Sequence, residues 1–149
     1  MQELTPEEIA EVLRREKDGV LTFTDGEKPY GIPIGYVYVD DRVYFSIFAK
    51  GRKWSLYQKN PNVCFTAYSW NDDRTVWDSV VLEGKMIPIS SFEQIEKVVR
   101  ANIPPSHPDP DQQLKKRMQY YKSNKANPTA VKLFEIEPFQ VGGKKSRRH

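Results

Sequence analysis

The run GVLTFTDGEKPYGIPIGYVYVDDRVYFSIFAKGRKWSLYQKNPNVCFTAY, residues 19–68, decides the fold. It is rich in β-branched and aromatic residues and is punctuated by turn residues, the signature of successive strands. Val20–Thr24 is a strand closed by Asp25-Gly26, a hairpin signal. Tyr30–Val39 follows, then an Asp40-Asp41 turn, then Val43–Phe48. Pro29 and Pro33 offer no N–H to a ladder, so the second strand belongs at an edge, at a bulge, or with its backbone turned to a ligand. Lys50-Gly51-Arg52-Lys53 breaks the β pattern, and Trp54–Asn60 reads as a short helix stopped by Pro61. In the strand Val63–Trp70, Val63, Phe65 and Ala67 share one face and Cys64, Thr66 and Tyr68 the other.

Outward from this core the pattern continues. Thr5-Pro6-Glu7-Glu8 starts a helix with a capping box, and Ile9, Val12 and Leu13 form its apolar stripe. Thr75–Ile89 is the longest strand candidate, with Gly84 marking a bend or bulge. Ser90 caps a further helix with Glu93 three residues on, and Phe92, Ile95, Val98 and Val99 are its buried stripe. Pro104, Pro105, Pro108 and Pro110 stiffen a loop before a polar helix over Asp111–Lys122, whose apolar side carries Leu114, Met118 and Tyr121. Ala130–Ile136 reads as the last strand. About six strands and three peripheral helices make an α+β, mainly antiparallel β domain built on a barrel. A single domain over residues 1–141 is expected, followed by a basic tail over residues 142–149.

Composition narrows the function. A chain of 149 residues is one ordinary domain. The formal charge of +3 is concentrated in Lys144, Lys145, Arg147 and Arg148, which read as a solvated end, so a nucleic-acid partner is not expected. No apolar run approaches the roughly 20 residues that cross a bilayer, so no membrane role is expected. The polar start of the chain is no signal peptide, and Cys64 has no second cysteine to pair with; both point to the cytoplasm. His107 and His149 are the only histidines and lie far from any cysteine cluster, so no metal site is expected.

Three segments could carry chemistry. In Tyr44–Lys53 a strand delivers the Ser46 hydroxyl, then Lys50, Arg52 and Lys53 surround Gly51 at a helix start. Phosphate wants helix-start N–H groups, a glycine for close approach and cations. A solvated basic turn has the same composition, and the segment alone does not choose between them. In Lys28–Tyr36, the glycines and prolines leave backbone accessible to a flat ring, or shield an edge strand. On the third, Trp77 and Ser79 share a strand face, where they suit a ring cover or a core or interface position.

Taken together, the strand–GRK–helix–NP–strand order with the later WDSVVLEG strand resembles the pyridoxamine-phosphate-oxidase-related FMN-binding superfamily, nearest its nitroimidazole-reductase-like branch. The resemblance covers roughly residues 6–100. It implies a split β-barrel and a homodimer with FMN sites along the subunit interface. It puts Ser46, Arg52 and Lys53 at the FMN phosphate, with Lys50 and Gly51 in the same turn and Phe45 beside Ser46. Pro33, Ile34 and Tyr36 fall beside the flavin ring, and Trp77 and Ser79 on a strand approaching it, from the partner subunit in a dimer. The branch often has histidine where this chain has Ser46, and the C-terminal pattern of true pyridoxamine-phosphate oxidases is absent, so pyridoxal phosphate synthesis is not expected. The resemblance implies an oxidoreductase passing electrons from a reduced donor through FMN to a small acceptor. The alternatives are a flavin-binding or storage protein and a deazaflavin-dependent relative. Residues 103–128 either cover the substrate side of the flavin or decorate the surface.

Overall fold

The computed structural model describes residues 1–147. The elements run β1 (Gln2–Glu3), α1 (Pro6–Arg15), β2 (Asp18–Thr24), β3 (Pro29–Gly35), β4 (Val37–Val39), β5 (Arg42–Phe48), α2 (Gly51–Lys59), β6 (Asn62–Trp70), β7 (Val76–Pro88), α3 (Phe92–Asn102), α4 (Pro110–Ser123) and β8 (Val131–Arg147). All strand pairs are antiparallel, in the order β3-β2-β6-β7-β8-β5-β4, with β1 on β8.

That order makes the barrel. β3 and β4 are separated in sequence by Tyr36 alone, yet they stand at opposite ends of the hydrogen-bonded path. The sheet must therefore curl until its two edges meet at Tyr36, and the seam between them is the split. Tyr36 fastens the seam. Its N–H donates to the Lys17 carbonyl at 3.0 Å, its hydroxyl donates to the Leu13 carbonyl at 2.8 Å, and its ring stands edge-on to Phe65 at 4.9 Å. The chain thus adopts the expected split barrel, and Pro29 and Pro33 lie on an edge strand where a missing N–H costs little.

Alternation fills the interior. Leu21, Phe23, Val43, Phe45, Ile47, Phe65, Ala67, Val80, Leu82, Met86, Phe134 and Ile136 all point inward. α2 closes one mouth, with Trp54 and Tyr57 against Phe134 and the Tyr57 hydroxyl donating to the Met86 carbonyl. A second, smaller core lies outside the barrel, where Ile95, Val98 and Val99 of α3 and Met118 of α4 cover Tyr44 and Leu133. β7 bends where expected. The register with β8 slips between Glu83 and Gly84, and a Cβ on Gly84 would sit 2.4 Å from the Glu137 carbonyl oxygen.

Three sequence expectations are corrected. The long second strand breaks at Tyr36, because the chain there crosses the seam. The cap of α3 is Ser91, whose hydroxyl accepts from the Gln94 N–H, rather than Ser90. Most consequentially, the last strand does not stop at Ile136. Residues 142–147 continue β8, pairing with β7 and β1. Asp78 holds this end in place. It accepts from Arg147 at 2.6 Å and from Arg15 of α1 at 3.2 Å, so much of the basic sequence is spent inside the fold. Arg148 and His149 lie outside the described residues.

Candidate functional site

β5 sorts its side chains by parity. Val43, Phe45 and Ile47 enter the barrel, whereas Ser46 and Phe48 face outward. The strand then runs through Ala49 into Lys50 and the start of α2. Gly51 takes φ +83°, a left-handed conformation that a side chain would strain, and swings the chain into the helix. No side chain caps α2, and its first turn holds no acid. Its first backbone N–H groups are therefore left for something outside the helix.

Around that open end stand Lys50, Arg52 and Lys53. Among the described residues none of the three is in an ion pair. The Lys50 ammonium lies 4.9 Å from the centre of the Phe48 ring, and the Arg52 guanidinium 4.4 Å from that of Tyr30. The second contact ties the turn to β3, the strand of Pro33 and Ile34. Free N–H groups, a positive helix end and three unpaired cations are what a phosphate dianion requires. The residues present fit a phosphate-bearing cofactor.

Tyr36 and Phe45 belong to the barrel interior. Phe45 stacks on Phe134 at 6.3 Å, and burial pushes the Tyr36 phenol well up from its ordinary value. Both also line a pocket of about 100 Å³ between β5 and the α3–α4 pair, together with Ser46, Asn102, Arg117 and Tyr121. The sequence reading missed Asn102 and Arg117 as site residues. The available signal was Arg117 four positions before Tyr121, which puts both on one face of α4. Burial, then Tyr120, raises the Tyr121 phenol, while Arg117 and the Ser46 hydroxyl act the other way.

Trp77 and Ser79 lie elsewhere. Phe45 is in register with Phe134, which is in register with Pro88, and Ser79 lies about 30 Å further along β7 at about 3.3 Å per residue. There Trp77 pairs with Trp70 and Ser79 with Tyr68 on the outer face of the sheet. Tyr68 and Trp70 meet edge-on at 5.6 Å, and the Arg74 guanidinium covers Trp70 at 3.7 Å. This face is unusually apolar for an outside surface. Trp70 is 51% and Phe139 63% exposed, with Tyr68, Val81 and Val141 also exposed.

Residues 5–145 match the profile of the pyridoxamine 5'-phosphate oxidase family. The chain belongs to that family. Solved structures agree on the fold. An FAD-binding protein from Mesorhizobium loti is 22% identical with a TM-score of 0.66, covering 97% of this chain and 96% of its own. The FAD-binding protein from Mycobacterium smegmatis is 17% identical with a TM-score of 0.72, and the match spans 100% of both chains. A proposed 5-nitroimidazole antibiotic resistance protein from Bacteroides thetaiotaomicron is 19% identical with a TM-score of 0.68, covering 96% of this chain and 86% of its own. No curated protein matches the chain. As a member of this family with these structural neighbours, it is a split-barrel protein. No helix among the described residues is long and apolar enough to cross a membrane.

Proposed function

We propose that this protein binds FMN in a homodimer and works as an oxidoreductase, taking electrons from a reduced donor and giving them to a small acceptor. The observation that carries the reading is the uncapped start of α2, ringed by Lys50, Arg52 and Lys53, none of them in an ion pair among the described residues. The flavin, when bound, supplies the two-electron chemistry. The protein's own residues do the holding. Arg52 and Lys53 would neutralise the phosphate while the α2 N–H groups would orient it, and Pro33 and Ile34 on the edge strand would offer backbone to the ring.

The outer sheet face supports the homodimer reading. An apolar surface carrying Tyr68, Trp70, Val81, Phe139 and Val141 favours burial against a second copy. A second copy would also bring Trp77 and Ser79 to a cofactor that their own chain holds far away.

The experiment is an anaerobic titration of flavin-loaded protein with NADH, NADPH and dithionite, followed by quinones and nitroaromatics as acceptors. Bleaching of the flavin band by a donor and its return with an acceptor is expected. A bound flavin that no reductant bleaches would end the oxidoreductase reading. Because the relatives from Mesorhizobium loti and Mycobacterium smegmatis are described as FAD-binding, chromatography of the heat-released cofactor separates FMN from FAD.

A further inference from the structure

The pocket between β5 and the α3–α4 pair is outside the phosphate turn and has its own chemistry. Its volume is about 100 Å³, room for a few non-hydrogen atoms. Its lining mixes apolar Val98, Val99 and Leu133 with polar Ser46, Asn102, Arg117 and Tyr121. Arg117 is half-buried, and its Nη1 donates to Asn102 Oδ1 at 2.6 Å. Among the described residues it has no carboxylate within ion-pair distance, and no acid lines the pocket.

We infer that this pocket recognises a small carboxylate, with Arg117 as its charge partner and Ser46 and Tyr121 as neutral donors. The inference rests on the flavin reading only in making that carboxylate part of the electron donor or acceptor. A guanidinium that lines a pocket free of acids leaves a place for an external counter-charge. Its planar fork, one N–H already directed by Asn102, matches the two oxygens of a carboxylate better than any neutral group. Position supports the role. Ser46 shares the outward face of β5 with Phe48, and the cationic turn follows directly after the strand ends, so pocket and turn are neighbours along the chain. This gives α3 and α4 a purpose as the cover of the substrate end. Two anion sites spaced along one strand suit a phosphate at one end and an acid at the other.

The test titrates acetate and its neutral isostere acetamide into the purified protein, read by calorimetry and thermal shift, with flavin content measured separately. Acetate is expected to bind at least tenfold tighter than acetamide. Arg117→Gln is expected to weaken acetate at least tenfold and Tyr121→Phe severalfold, with flavin content unchanged in both. Equal binding of acetate and acetamide, or full acetate affinity in Arg117→Gln, overturns the inference. If Arg117→Gln does not fold, Arg117→Lys, which keeps the charge and loses the fork, is expected to weaken acetate severalfold, and an unchanged affinity overturns it. Acetate binding by a protein that takes up no flavin would sink the flavin reading and leave the pocket standing; flavin binding without acetate binding would do the reverse.

Discussion

The two helices that begin α1 and α2 start in opposite ways. At α1, the Thr5 hydroxyl accepts from the Glu8 N–H at 3.2 Å, and the Glu8 carboxylate accepts from the Thr5 N–H at 3.0 Å. Two acids, Glu7 and Glu8, complement the positive helix end, and Lys145 of β8 closes the cluster at 2.5 Å. The cap and the charge at that terminus are both supplied from within. At α2, no side chain caps, no acid lies in the first turn, and the nearby charges have the same sign as the helix end. α3 and α4 side with α1, capped by Ser91 and Asp109. Local stability would have given α2 the same treatment. A terminus that forgoes a cap and gathers cations suits the proposed phosphate, whose binding would relieve the instability that the terminus carries alone.

The comparison can be broken most severely by removing the cations. Arg52→Ala combined with Lys53→Ala is expected to weaken FMN about a hundredfold or more, since charge-assisted contacts contribute about 1.5–3 kcal/mol each. Fluorescence titration measures it, and circular dichroism checks that the fold is kept. A subtler change makes α2 resemble α1. Lys50→Asp supplies both a cap and an acid, so it is expected to raise thermal stability while lowering FMN affinity at least tenfold. Stability and affinity rising together would contradict the contrast.

The reverse experiment strips α1. Thr5→Ala is expected to cost about 1 kcal/mol, a fall of about 2–4 °C in melting temperature, with FMN affinity unaltered. The smallest effect is on pH. Lys145, then the Thr5 N–H, holds the Glu8 carboxyl at about 2 against an ordinary 4.5. A depressed carboxyl stabilises the fold above its unfolded value, and that contribution disappears as pH falls from about 4.5 toward 2. Melting curves of the native protein and Glu8→Gln should therefore converge through that window. A constant gap would remove Glu8 from the account.

Residue patterns made much of this legible. Parity in Val63–Trp70, the capping box at Thr5 and Glu8, and the bulge at Gly84 are local signals, and each appears in the structure. What stayed hidden was non-local. Residues 142–147 look like a basic tail because Gly142-Gly143-Lys144-Lys145 has no apolar alternation. They are a strand because β7 offers them an unpaired edge and Asp78 offers Arg147 a partner. The break at Tyr36 was equally invisible, since only closure of the sheet creates a seam there. At the site, the chemistry of Lys50–Lys53 was readable from composition and helix position. Arg117 was not, because its place over Ser46 depends on how α4 packs on the barrel.

The measurement that bears most directly on the central claim is the absorption spectrum of the native protein after incubation with excess FMN and desalting. Flavin bands are expected to be retained at about one FMN per chain, each α2 start holding one phosphate. A desalted protein that is folded and colourless would show that the uncapped, cationic start of α2 serves no flavin, and would contradict the account.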